Sequence, residues 1–88
     1  MSWKIEIKPG AEKQYLRFDK KTRKQVKKSL HDLEEQNNPF LHKRVRALTG
    51  ELKGDYRLRV GMWRILFTPD KQSEILFVYA ILPRSEAY

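Results

Sequence analysis

The sequence contains no cysteine, so neither disulfides nor a thiolate enter its structure or chemistry. That absence fits a reducing compartment, and a cytoplasmic location is expected. No apolar run approaches the ~20 residues that cross a bilayer. The longest, "ILFVYAIL" at 75–82, has the length of a strand. The opening "MSWKIEIKPG" alternates apolar with charged residues and lacks the apolar centre of a secretory signal. There are two histidines, His31 and His42, and no carboxylate pair at ligand spacing, so neither a metal nor a cofactor is expected. Gly50 and Gly54 form no phosphate loop and read as turn residues. Acid is also scarce: 11 Asp and Glu face 19 Lys and Arg, a net charge of +8 over 88 residues. A surplus of that size points to a polyanionic partner: nucleic acid, an anionic surface or an acidic protein.

What is present organises into one domain, 1–88. Trp3, Ile5 and Ile7 alternate with Lys4, Glu6 and Lys8, the period of a half-buried strand closed by Pro9-Gly10. Residues 11–18 form a short helix with Ala11, Tyr15 and Phe18 on one face. Asp19 is placed to cap a second helix running to about Gln36, with Val26, Leu30 and Leu33 as its apolar stripe. "NNPF" stops it. "RVRAL" at 44–48 fits a short edge strand and "TGELKG" is turn material. Strands follow at 55–60, 62–68 and 74–82, the last with so little alternation that burial on both faces is expected. The fold class is α+β: β-α-α-β-β-β, with an antiparallel sheet packed against a helical hairpin.

The stretch "DYRLRVGMWRILF" sets the functional question. A two-residue loop Gly61-Met62 puts glycine first, as a type II′ turn requires. Val60 then pairs with Trp63, Arg59 with Arg64, Leu58 with Ile65, Arg57 with Leu66 and Tyr56 with Phe67. One face carries Tyr56, Leu58, Val60, Trp63, Ile65 and Phe67 and belongs to the core, as does Trp3. The other carries Arg57, Arg59, Arg64 and Leu66. Like charges opposite each other destabilise a strand pair, yet three planar, permanently charged guanidiniums on a rigid sheet suit phosphate oxygens. Lys20, Lys24, Lys27 and Lys28 lie on the second helix away from its apolar stripe, where they either clamp an RNA backbone or form a solvated face. His31 and His42 are expected to be surface or structural.

"ALTGELKGDYRLRVGMWRILF" and the closing "ILFVYAILPRSEAY" resemble the RelE superfamily of toxin–antitoxin toxins, and the element order is similar along the whole chain. The closest match is "G-x-Y-R-x-R-V-G-x-x-R" followed by "P-R-S-x-x-Y". RelE-type toxins cut messenger RNA in the ribosomal A site, so the resemblance implies a ribosome-dependent, metal-independent endoribonuclease in which a 2′-hydroxyl attacks the adjacent phosphate. It implies a catalytic set of Arg57, Arg59, Arg64, Arg84 and Tyr88, with Tyr88 as base and Arg84 stabilising the leaving oxygen. Arg57 and Arg59 stand where well-studied members often carry lysines. The implied partners are an acidic antitoxin, the ribosome and messenger RNA, with no membrane. The ParE branch of the superfamily instead inhibits DNA gyrase, and a plain RNA-binding module would use the same arginine face.

Overall fold

Local chemistry places each element. The computed structural model describes residues 3–86. β1 (Lys4–Ile7) is the alternating opening strand. α1 (Pro9–Leu16) starts earlier than the sequence suggests, because the fixed φ of Pro9 suits the first helical position and its missing N–H costs nothing there. Phe18 consequently falls in the joint after α1, where its ring centroid lies 4.5 Å from that of Trp63. The Asp19 side chain accepts a 3.0 Å hydrogen bond from the Thr22 N–H and caps α2 (Lys20–Glu34). The stripe Val26, Leu30 and Leu33 is buried, as the spacing predicts.

The remaining strands are β2 (Val45–Ala47), β3 (Tyr56–Val60), β4 (Trp63–Asp70) and β5 (Ile75–Pro83). Short 3₁₀ turns flank β2, at Pro39–Leu41 and Gly50–Leu52, and a third follows β5 at Arg84–Glu86. The five strands form one sheet in the order β1-β5-β4-β3-β2. The α+β class holds. β2 to β5 are an antiparallel meander, but the sheet is mixed, because the last turn of that meander brings β5 back in the direction of β1 and the two pair in parallel. As an edge strand β1 leaves N–H groups unpaired, and Glu34 of α2 covers one by accepting a 2.9 Å hydrogen bond from Ile5. Beyond the end of β1, the Gln14 side chain does the same for Ile81 of β5, at 2.9 Å.

Both helices cover one face of the sheet, and Leu58, Val60, Ile65, Phe67, Leu76, Val78 and Ile81 meet them in the core. Trp3 is buried edge-on to Phe40, with centroids 5.2 Å apart. Tyr56 joins Phe40 to Phe67 in the same layer.

β5 corrects the sequence reading. It lies between β1 and β4 and is only half-covered on its outer side. Its lost alternation comes from a bulge: Val78 pairs with Phe67 and Ala80 with Leu66, leaving Tyr79 as the extra residue. The bulge shifts the parity of the strand, so Leu76 and Val78 point inward before it and Ile81 after it.

The β3–β4 hairpin pairs in the register predicted from its glycine, residue by residue. Gly61 has φ +59°, while Met62 keeps an ordinary negative φ, the combination of a type II′ turn. A Cβ at Gly61 would meet nothing closer than Gln25 Nε2 at 3.8 Å, so any cost of a side chain there is conformational. Gly61→Ala should destabilise the fold by about 1–2 kcal/mol in urea unfolding with an unchanged m value. Gly61→Asn should cost less, since asparagine tolerates the left-handed region.

Candidate nucleic-acid interface

The face of the sheet opposite the helices carries the arginines. Arg59 lies opposite Arg64, as expected, and Arg57 opposite Leu66. β2 adds what the sequence reading did not contain: Arg46 sits directly opposite Arg57 on the other side of β3. Two like-charged pairs therefore occupy adjacent positions of one three-strand patch, each a destabilising juxtaposition. Arg46, Arg57, Arg59 and Arg64 line a cleft of about 170 Å³ together with Lys43 and Arg44. Among the described residues that line the cleft, all six are cationic.

Backbone carbonyls hold two of these guanidiniums in place. Arg64 donates through one terminal nitrogen to Gly61 O at 2.8 Å and Trp63 O at 3.0 Å. Arg46 donates to Lys43 O at 3.2 Å and Val45 O at 3.0 Å. Partial burial, and then the charges of Arg57, Arg84 and Arg59, push the Arg64 pKa below its ordinary value. It stays protonated at neutral pH all the same. The same repulsion places Arg84 within electrostatic reach of the cluster. Arg84 opens the 3₁₀ turn after β5, with its N–H on Met62 O at 2.8 Å, and lines a neighbouring hollow beside the hairpin turn. The structure thus brings Arg57, Arg59 and Arg64 into one cleft and sets Arg84 at the neighbouring hollow. Tyr88, the remaining member of the expected set, lies outside the described residues.

At the far end of this face Asp55 accepts two hydrogen bonds, from Thr68 Oγ1 at 2.9 Å and Tyr79 Oη at 2.8 Å. Tyr79 is on β5 and Asp55 immediately precedes β3, so the tyrosine side chain crosses β4 on the arginine side. Leu66, which the hairpin register puts on the outer face, is only 1% exposed there.

The helical lysines do not form one patch. Lys28 lines a cleft of about 320 Å³ with Gln25, Ser29, Asp32, His42, Lys43 and Arg44. Lys27 lines a different groove, with Ile5, Ile7, Tyr15 and Leu30. Lys20 and Lys24 are exposed on the same helix. His31, exposed, pairs with Glu35 at 2.8 Å.

His42, assigned from sequence to surface or structure, is half-buried at the Lys28 cleft, and its Nδ1 accepts a 3.1 Å hydrogen bond from the Arg44 N–H. Burial, then Arg44 and Lys43, lower its pKa against the opposing pull of Asp32. No periodic signal marks Lys43, Arg44 and His42 in the sequence. The clue to Arg46 was the R-x-R spacing at 44–46 within a candidate edge strand.

A family model described as the ParE toxin of type II toxin–antitoxin systems matches residues 5–88. No curated protein matches by sequence. Among solved structures, the toxin–antitoxin complex RelBE2 from Mycobacterium tuberculosis contains a chain that superposes with a TM-score of 0.80 at 16% identity, over 96% of this chain and 100% of that one. The RelE–RelB complex of Pyrococcus horikoshii gives 0.78 at 21% identity, over 99% and 100%. A mutant of the Escherichia coli toxin RelE in the free state gives 0.73 at 22% identity, over 98% and 86%. At these identities the structural likeness concerns the fold.

His42 gives a pH signature. Its folded pKa lies below the ordinary 6.5, so its contribution to stability is complete above that pH and is lost as the pH falls and the unfolded chain takes up the proton first. Melting temperatures measured from neutral to mildly acidic pH should fall on acidification, and His42→Gln should flatten that fall.

The match over nearly the full length, with a fold shared with the RelE toxins, makes this chain a member of the ParE toxin family of type II toxin–antitoxin systems.

Proposed function

We propose that the protein is a ribosome-dependent endoribonuclease that cleaves messenger RNA in the ribosomal A site. The observation that carries this reading is the cleft whose described lining is all cationic, in which Arg57, Arg59 and Arg64 share one face of a hairpin. A phosphodiester under attack by its neighbouring 2′-hydroxyl gathers negative charge on the non-bridging oxygens, and preorganised guanidinium donors stabilise that charge. Arg46 adds a fourth guanidinium from the opposite side of Arg57.

Tyr88 takes the 2′-hydroxyl proton. The 2′ oxygen bonds to phosphorus and the 5′ oxygen leaves beside Arg84, taking its proton from water. The products are a 2′,3′-cyclic phosphate and a free 5′-hydroxyl. Lys20, Lys24, Lys27 and Lys28, which lie at separate places on α2, add contacts to RNA backbone outside the arginine cleft, without regard to sequence. The antitoxin is an acidic protein that neutralises the basic face: two of the superposed structures are RelE–RelB-type complexes, and this chain carries a net charge of +8.

The family match favours a second reading, inhibition of DNA gyrase without catalysis. Purified protein assayed on programmed ribosomes and, separately, on gyrase supercoiling decides between the two. Messenger cleavage with intact supercoiling supports the ribonuclease. Blocked supercoiling with uncut messenger overturns it.

In the cleavage assay Arg64→Ala should keep the fold and lose about 10²–10³-fold in single-turnover rate. Tyr88→Phe should bind ribosomes normally and lose about 10²–10⁴-fold. Wild-type rates from either variant contradict the role given to that residue.

A further inference from the structure

The two polar clefts beside β2 are not independent. One lies on the arginine side of the sheet, lined by Arg46, Arg57, Arg59 and Arg64. The other lies on the helix side, between α2 and the segment before β2, and reaches the core residue Leu58. Lys43 and Arg44 line both, so this pair is the ridge over which one cleft passes into the other. β2 is an edge strand, so among the described residues no further strand blocks the passage.

We propose that the helix-side cleft is a second nucleotide subsite: a single-stranded RNA lying in the arginine cleft continues over the Lys43–Arg44 ridge, round the β2 edge, and seats its next nucleotide between α2 and His42. The inference rests on the ribonuclease reading of the arginine cleft.

The chemistry of the second cleft differs from that of the first in the way a nucleotide subsite requires. Lys28, Lys43 and Arg44 supply positive charge for a backbone phosphate. Asp32 offers an acceptor, which no phosphate site wants but which suits the donor groups of a base edge or a ribose hydroxyl. His42 is fixed in its tautomer. Its Nδ1 is occupied as acceptor of the Arg44 N–H, so the neutral ring keeps its proton on Nε2 and presents a donor. Gln25 and Ser29 add an amide and a hydroxyl that serve as donor or acceptor. A donor, an acceptor and two-way groups beside a cationic rim can read a nucleotide. The described lining of the arginine cleft offers donors alone, which suit phosphate.

The arrangement also gives Lys28 a role distinct from that of the other helical lysines, since among the described residues it is the helical lysine that lines this cleft.

Binding measurements with non-cleavable 2′-O-methyl RNA test the proposal. Fluorescence anisotropy compares a labelled dinucleotide, which fills the arginine cleft alone, with an octanucleotide, which spans both. Lys28→Ala and His42→Ala should each weaken octanucleotide binding several-fold and leave the dinucleotide unchanged. Lys28→Ala should also reduce the salt slope of octanucleotide binding by about one. Lys21→Ala, which removes the same unit of charge elsewhere on α2, should show no length-dependent loss. Thermal melts confirm that each variant is folded; Lys28 is exposed on a helix, so its variant carries the test if His42→Ala melts early. Arg59→Ala should weaken both oligonucleotides.

Loss of octanucleotide affinity in Arg59→Ala, with none in Lys28→Ala or His42→Ala, overturns the subsite and leaves the arginine-cleft reading standing. Equal losses on both lengths in the Lys28 and His42 variants also overturn it. No loss on either length in Arg59→Ala overturns the arginine-cleft reading and the subsite with it.

Discussion

Everything on the sheet depends on the two-residue turn at Gly61 and Met62. With Gly61 at φ +59°, Arg59 faces Arg64 and Leu58 faces Ile65, and side chains alternate from there. A slip of one residue would turn β4 over relative to its partner, exposing Ile65 and Phe67 and sending Arg64 toward the helices. The buried inner row, Leu58, Val60, Ile65 and Phe67, therefore does two things at once. It drives folding, and it forces the arginines of the same strands into a single patch on the other side. The repulsion between Arg59 and Arg64, and between Arg46 and Arg57, is worth less than burial of the aliphatic and aromatic residues beneath, so the core decides the register.

Backbone dipoles restrain two of the guanidiniums. Arg64 and Arg46 donate to backbone carbonyls next to them in the chain, which restrains each guanidinium without neutralising it. Asp55 is held by Thr68 and Tyr79 at the other end of the face and does not line the cleft. The described lining of the cleft stays cationic, and the neighbouring guanidiniums add to partial burial in lowering the Arg64 pKa. Sites built on strands suit chemistry that requires donors already in position.

The hairpin was legible in the sequence because one glycine selected one turn type, and the turn fixed five residue pairs and the arginine face with them. The Asp19 cap and the Val26, Leu30, Leu33 stripe were legible for similarly local reasons. Arg46 was not, because a three-residue strand is too short to establish a period and its face depends on pairing with β3. Lys43, Arg44 and His42 lie where the chain follows neither helical nor strand spacing, and tertiary packing against α2 alone makes them a cleft. The alternation of β5 was masked by the bulge at Tyr79, which made a strand with one core face read as buried throughout. Parallel pairing of β1 with β5 joins the two ends of the chain, beyond the reach of any local pattern.

The central claim is that the register of the hairpin builds a phosphate site. A crystal structure of the protein with a non-cleavable 2′-O-methyl RNA tests it most directly. A backbone phosphate within about 3 Å of the guanidinium nitrogens of Arg57, Arg59 and Arg64 is the predicted result. RNA bound along α2 with the arginine cleft empty would contradict the claim.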